Sequence, residues 1–165
     1  DLHIALDSGA QLQLDGLVLA DSGQSGEHYL RIEHTQPQAS SQQRMRAILQ
    51  GEGRSVFDGM IYVAPKAQKT DASQQSRSLL LSRKAKAHTQ PRLEIYADDV
   101  KCAHGATVGF LDPDALFYLR ARGIALADAQ RLLVQAFAQD TFNHLSPQLR
   151  QRLEALLSAR LRAHL

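Results

Sequence analysis

The chain has 165 residues, 44% of them hydrophobic and 22% charged, which is enough for one or two small domains with a packed core. Its formal net charge of +2 lacks the basic excess that nucleic-acid binding requires, and its apolar runs are too short to cross a bilayer. The single cysteine, Cys102, cannot form an internal disulfide. We therefore expect a cytoplasmic protein with neither nucleic acid nor a membrane as a partner.

Residues 1–111 contain a series of short segments in which apolar and polar residues alternate, the pattern of half-buried strands. Gly, Asp, Ser and Pro separate these segments, as turns require, and no helical pattern intervenes. The pattern starts at the first residues, without an initiator methionine. We interpret the chain as the C-terminal portion of a longer protein.

The strand segments between residues 45 and 110 group into three triplets that repeat after about 22–25 residues. Three short strands per repeat of this length predict the coils of a parallel β-helix. A β-sandwich with regularly spaced short strands is the alternative.

Residues 112–165 carry helical signals instead. Asp112 is a suitable N-cap, Pro113 suits the first helical position, and Gly123 stands where a glycine commonly ends a helix. This first helix is followed by a second and a third, so the segment predicts a small helical domain. A domain of this size is marginally stable alone, which favours docking on another surface.

The second helix is predicted from Leu126 to Asn143, and the third begins with Ser146 as N-cap and Pro147 at the first position. The apolar face of the second helix is predicted from its helical spacing. Its members are Leu126, Ala129, Leu132, Leu133, Ala136 and Phe137.

The segment KCAHG, residues 101–105, places Cys102 two positions before His104. In a strand, residues at this spacing point to the same face. Three interpretations follow: a thiolate nucleophile with its base, half of a metal site, or a strand whose Val100 and Cys102 simply pack inward. A complete metal site within the chain is not expected, because there is no second cysteine.

Two enzyme classes are disfavoured by the residues. The segment GEGRS, residues 51–55, lacks the lysine and the spacing of a phosphate-binding loop. A β-helix that cleaves carbohydrate needs a pair of carboxylates flanking the scissile bond, whereas Asp98 and Asp99 are adjacent and would point to opposite faces of a strand.

Two long stretches, LEIYADDVKCAHGATVG followed by LFYLRARGI, resemble the SufB/SufD family of the SUF iron–sulfur cluster assembly system. The upstream segment from residue 33 to residue 82 is similar to the core of the same family. The Cys-x-His-Gly form of residues 102–105 favours the SufD branch of the family over the SufB branch.

The resemblance implies a right-handed parallel β-helix over residues 1–111 and a helical domain over residues 112–165 that docks an ATPase partner, SufC. It also implies that the β-helices of SufB and SufD pair, and that a nascent iron–sulfur cluster or iron is held transiently at their junction. His104, with Cys102 as the less certain partner, would then be the ligands on the SufD side. No cofactor is expected to stay tightly bound to this chain alone.

The resemblance further implies a scaffold without catalytic residues, in which SufC hydrolyses ATP. The segment FYLRARGI is the candidate surface for SufC, through Phe117, Tyr118, Arg120 and Arg122; packing of the two aromatic residues on the β-helix is the alternative. A purely architectural subunit and, less favoured, a carbohydrate-active β-helix are the other interpretations. In isolation, two copies of the chain would be able to pair through exposed strand edges.

Overall fold

A computed structural model describes residues 1–143 and 145–162. The chain divides into two compact units, residues 1–108 and residues 109–165; the first is built of strands and the second of helices. Within the predicted helical domain, residues 144 and 163–165 lie outside the described part of the chain.

The described residues form eight strands and three helices in chain order. The strands are β1 (Leu2–Leu6), β2 (Gln11–Ala20), β3 (Ser25–His34), β4 (Ser40–Leu49), β5 (Arg54–Val63), β6 (Asp71–Leu80), β7 (Lys86–Ile95) and β8 (Lys101–Gly109). The helices are α1 (Pro113–Ala121), α2 (Leu126–Gln139) and α3 (Pro147–Arg162).

The strands alternate between two sheets, β1-β3-β5-β7 and β2-β4-β6-β8. The strand pairs with a complete register are parallel, so each connection leads from one sheet to the other and each coil stacks on the one before. The prediction of a parallel β-helix with a helical tail is confirmed.

The predicted repeat of three strands every 22–25 residues is wrong. Each coil has two strands, most of them ten residues long. Asp15 on β2 lies beside Arg44 on β4, 29 positions further along the chain, and Gln43 lies beside Gln74, 31 positions further along.

The repeat was predicted too short because polar, glycine and proline residues, which are common in turns, lie here inside strands. Asp58 and Gly59 are in the middle of β5, and Pro91 is in the middle of β7. A side-chain methyl group on Gly59 would lie 2.5 Å from Nε2 of Gln74. Glycine is therefore present here because a side chain crosses the interior at this level, and not because the chain turns.

The interior of the β-helix contains stacked apolar side chains and two polar pairs. Ile32, Leu49, Ile61 and Val63 are fully buried. His34 Nε2 lies 2.9 Å from the hydroxyl of the buried Ser41. The second pair joins two neighbouring coils, since Nε2 of Gln74 donates to Oε1 of Gln43 at 2.9 Å. The interior therefore contains buried polar groups in hydrogen-bonded pairs.

The ends of α1 follow the sequence signals. The carboxylate of Asp112 accepts hydrogen bonds from the backbone N–H groups of Asp114 (2.9 Å) and Ala115 (3.4 Å), and Pro113 begins the helix. Gly123 follows the helix with φ of +85°, a conformation that glycine adopts without steric cost.

The predicted end and face of α2 are partly wrong. The helix ends at Gln139, four residues before the predicted end. Its buried residues are Ala129, Val134 and Ala138, whereas Leu126 and Leu132 of the predicted face are 44% and 46% exposed. The helix contacts both α1 and α3, so its buried side depends on two neighbours and not on its own spacing alone.

Within residues 1–143 and 145–162, every helix is too short or too polar to span a membrane.

We predict that Gly59→Ala lowers the free energy of unfolding by about 1–3 kcal/mol, because the added methyl group overpacks the interior against Gln74. Gly109→Ala is the matched control, since a methyl group there meets no atom within 4 Å. Denaturant unfolding of the full-length protein measures both. Equal stability of the two variants would contradict the packing role of Gly59.

Candidate functional site

β7 and β8 form the last coil, here called the terminal coil. β7 has β5 as a neighbour and β8 has β6, and neither has a second neighbour among the described residues. Each therefore has one edge, the open edge, whose backbone groups make no strand pairing within the described part of the chain. Such edges are templates for pairing with another chain.

Hydrogen-bond alternation identifies the backbone groups at the open edge. At the two ends of β7, the N–H of Lys86 donates to the carbonyl of Gly53 at 3.0 Å, and the N–H of Tyr96 donates to that of Val63 at 2.9 Å. At the start of β8, the N–H of Lys101 donates to the carbonyl of Thr70 at 2.8 Å. In a parallel strand, alternate residues bond to opposite sides. The N–H groups of Cys102 and His104 therefore point to the open edge of β8.

Pro91 lies on the same edge of the terminal coil. Pro91 is an odd number of residues away from both Lys86 and Tyr96, so its nitrogen lies on the open edge of β7. Because that edge does not face β5, the missing N–H removes no hydrogen bond to β5. The proline also limits indiscriminate pairing along β7.

Cys102 is half-buried at the end of the interior. It packs, with Leu93, against the cluster that contains Ile61 and Ala72. Burial raises the pKa of its thiol, the Asp71 carboxylate raises that pKa further, and the backbone N–H of Ala72 acts in the opposite direction. The thiol is therefore neutral near pH 7, and a bound cation would favour the thiolate.

His104 differs from Cys102 in its exposure. It lies two residues further along β8, on the same face of the strand, but its side chain is exposed. The strand continues beyond it to Gly109, so His104 is not at a turn. An exposed imidazole next to a half-buried thiol is the arrangement of a site that opens to a partner or to a small ligand.

Two side chains are too few for a closed metal site. No group of three or more His, Cys, Asp or Glu side chains with metal-binding geometry occurs among the residues that the structure describes. Of the other histidines, His34 is buried beside Ser41, and His88 lies at an exposed position of β7. Further ligands for Cys102 and His104 would have to come from another molecule.

Nucleophilic catalysis by Cys102 has no structural support. A raised thiol pKa is the opposite of what an activated cysteine needs. Asp99, a possible orienting carboxylate, forms an ion pair with Lys69, and its backbone N–H donates to the side chain of Gln68 at 2.9 Å. Asp99 thus stabilises a turn.

The candidate residues for ATPase docking lie on or directly after α1, which has no buried residue. Phe117 is 75% exposed and Tyr118 is 55% exposed. The guanidinium of Arg122 lies over the ring of Tyr118, 4.3 Å from its centroid, and Arg120 is exposed in the last turn. Together they form an exposed surface of aromatic and cationic groups, here called the α1 surface.

Sequence reasoning did not predict which residue lies opposite His104 in the sheet, namely Gln74 on the strand next to β8. It lies 30 positions before His104, and a lone glutamine in a polar segment carries no distinguishing signal. Only the register of the strands brings the two positions together.

Comparison with known proteins gives a consistent result. Residues 2–137 match the family model described as SUF system FeS cluster assembly, SufBD core domain. The iron–sulfur cluster assembly protein SufD of Escherichia coli is 44% identical over 131 residues, which is 79% of this chain and 31% of that protein. An iron–sulfur cluster assembly SufBD family protein of Synechocystis is 37% identical over 145 residues, 87% of this chain and 32% of that protein.

A SufBD family protein of Mycobacterium leprae is 35% identical over 158 residues, which is 90% of this chain and 40% of that protein. The chain thus spans about a third of the length of these relatives.

Proposed function

Because the chain belongs to the SufBD core domain family of the SUF iron–sulfur cluster assembly system, we propose that it is part of a SufD-type scaffold subunit. In this proposal the subunit pairs with SufB, docks the ATPase SufC, and holds a nascent iron–sulfur cluster or iron jointly with SufB. The cluster is the cargo of the assembly. The subunit itself carries out no catalysis.

The observation that supports the proposal most strongly is the placement of Cys102 and His104 on the terminal coil. Both lie on β8, whose other edge has no neighbour among the described residues, and their backbone N–H groups point to that edge. A strand of SufB that paired there would bring its own side chains beside these two. The same edges would allow two copies of this chain to pair in isolation.

An incomplete set of protein ligands suits an iron–sulfur cluster that has to be transferred to another protein. Thiolate and imidazole are ligands for iron and for iron–sulfur clusters. Because the pKa of Cys102 is raised, its thiol is protonated near pH 7, and ligation of a cation would release that proton. A site completed by two subunits is lost when they separate, which would favour transfer of the cluster over storage.

The α1 surface is the proposed docking site for SufC. Large exposed aromatic side chains and arginine are the residues that most often dominate protein–protein binding. Phe117, Tyr118, Arg120 and Arg122 supply both kinds within one short helix and its C-cap. Leu156 on α3, which is 67% exposed, lies outside the α1 surface.

A purely architectural role is the second candidate, since Cys102 packs against the core as a small apolar side chain would. That observation does not extend to His104, whose side chain is exposed. For a carbohydrate-active enzyme the adjacent residues Asp98 and Asp99 give no support, because Asp99 forms an ion pair with Lys69.

We predict that His104→Ala leaves the complex with SufB and SufC intact but lowers its iron and acid-labile sulfide by about tenfold or more, a loss typical of damaged metal sites. The full-length protein is co-expressed with SufB and SufC, and iron and sulfide are measured in the purified complex. His88→Ala is the matched control, because His88 is an exposed histidine of β7 in the same coil. Its cluster content should equal that of the wild type.

Two outcomes would contradict the proposal. If the His104→Ala complex carries normal iron and sulfide, the subunit is architectural. If the variant fails to form a complex while His88→Ala forms it, the role of His104 lies in packing or pairing and not in ligation.

We predict that Phe117→Ala weakens the binding of SufC to the full-length protein by about 30-fold, equivalent to the loss of about 2 kcal/mol at an interface hot spot. Leu156→Ala is the control, since it removes an exposed apolar side chain of α3 instead of α1. Titration calorimetry with purified SufC measures both. A weaker affinity for Leu156→Ala with normal affinity for Phe117→Ala would place docking on α3 and reject the α1 surface.

A further inference from the structure

One arginine and two tyrosines form a row of contacts on the sheet β1-β3-β5-β7, here called the outer row. The guanidinium carbon of Arg31 on β3 lies over the ring of Tyr62 on β5, 5.7 Å from its centroid. The ring of Tyr96, which directly follows β7, lies 5.6 Å from the Tyr62 ring and is tilted by 51° to it. These are the distances of cation–π and aromatic contacts. The outer row therefore crosses three coils and ends at the terminal coil.

The buried residues of β5 and β7 show that the outer row lies on the outside of the β-helix. Ile61 is fully buried, and Leu93 packs against the core cluster that contains it. Tyr62 and Glu94, the residues that follow these two, therefore point outward. Tyr62 and Glu94 are also register partners. A carboxylate of the terminal coil thus lies on the same face as the outer row and next to Tyr62.

On the β3 side of Tyr62, the outer row forms a complete site for a guanidinium group. Glu33 on β3 is the register partner of Tyr62, and its Oε1 accepts a hydrogen bond from Nε of Arg31 at 2.6 Å. The guanidinium thus bonds to a carboxylate while it lies over a tyrosine ring. This is the combination that a planar guanidinium favours.

The terminal coil has the same two groups, a carboxylate and a tyrosine ring, without a guanidinium. Glu94 is exposed, and its carboxylate makes no hydrogen bond or ion pair within the described part of the chain. Tyr96 is 59% exposed. Arg92, two residues before Glu94, is engaged elsewhere, since its Nε donates to Oδ1 of Asp58 at 3.1 Å. The carboxylate and the ring are therefore accessible to a cation from another molecule.

Both groups lie next to the open edge of β7. The N–H of Tyr96 bonds to the carbonyl of Val63 on the β5 side, so by alternation the N–H of Ile95 points to the open edge. A partner strand paired at that edge would lie about 4.8 Å from β7. The same spacing separates β3 from β5, and across it Arg31 reaches Tyr62. A long side chain of the partner strand would reach Tyr96 in the same way.

We propose that Glu94 and Tyr96 bind an arginine of the partner subunit, SufB, whose guanidinium lies over the Tyr96 ring and pairs with the Glu94 carboxylate. The contact repeats at the open edge the one that Arg31 makes within the chain. Arginine fits this site better than lysine, because its planar group stacks on a ring and bonds to a carboxylate at the same time. The inference rests on the proposed function and deepens it, since it names residues of β7 that select the partner.

Three variants separate the contributions of the ring and of the carboxylate, and a fourth is the matched control. Tyr96→Leu removes the ring, Tyr96→Phe keeps the ring and removes only the hydroxyl, and Glu94→Gln removes the charge. The control is Tyr29→Leu, because Tyr29 is 42% exposed on β3, a strand with a neighbour on each side. All the replaced side chains are exposed, so each variant should fold, and denaturant unfolding checks this.

The first measurement is titration calorimetry of the full-length protein with purified SufB. Tyr96→Leu should bind SufB about tenfold more weakly than the wild type, because the cation–π contact is lost, and Glu94→Gln about threefold more weakly. Tyr96→Phe and Tyr29→Leu should bind as the wild type does. Wild-type affinity of Tyr96→Leu would overturn the inference. Equal weakening by Tyr96→Phe and Tyr96→Leu would also overturn it, because the contact would then be made by the hydroxyl and not by the ring.

The second measurement identifies the cation on SufB. The complexes are formed at saturating concentrations and treated with phenylglyoxal, which modifies arginine side chains, and the labelled positions are found by mass spectrometry. At least one arginine of SufB should be labelled more slowly in the complexes with wild type and Tyr29→Leu than in free SufB. In the complex with Tyr96→Leu this protection should be lost. If the labelling of no SufB arginine depends on Tyr96, the inference is wrong.

The outcomes also separate this inference from the proposed function. If the wild-type protein does not bind SufB, the proposed function fails and the arginine site fails with it. If the wild type binds SufB and Tyr96→Leu binds equally well, only the inference fails. If Tyr96→Leu weakens only the pairing of two copies of the full-length protein, measured by sedimentation, the occupant is a second copy and the inference is overturned.

Discussion

The structure depends on a ladder of backbone hydrogen bonds that runs from coil to coil. Each strand bonds to the strand one coil earlier, as Ser40 does to Ala10 and Asp71 to Ala39, so all but the end strands have both edges paired. In such a ladder, the backbone N–H and C=O groups on the outer edge of the last strands have no strand to pair with. At Lys101 it reaches β8, and beyond β8 the described residues provide no further strand. The open edge follows from the way the coils are built.

The neighbours of β8 change between Cys102 and His104. At its start, Cys102 packs with Leu93 on the apolar cluster around Ile61. Two residues later, the register places His104 opposite Gln74, whose amide bonds to Gln43. The raised pKa of the Cys102 thiol is the opposite of what nucleophilic catalysis by this residue would need.

Part of the fold could be predicted from local signals. The caps of α1 were correct because Asp112 and Gly123 act through backbone bonds and dihedral angles within a few residues. The coil length was wrong because Gly59 and Pro91 owe their positions to neighbours in other strands, which sequence spacing does not reveal. The site shows the same limit. That Cys102 and His104 share a face is a local property of a strand, whereas the partner position of Gln74 depends on register across a coil.

The central claim is that the open edge of β8 is completed by a strand of another subunit. Hydrogen–deuterium exchange of the segment 101–109 in the full-length protein, alone and bound to SufB, tests it most directly. We predict that exchange in this segment slows by about tenfold or more on binding, because newly paired amide N–H groups exchange only on opening, while exchange in β3, an interior strand of its sheet, is unchanged. A stable complex in which exchange of residues 101–109 is unaltered would contradict the account.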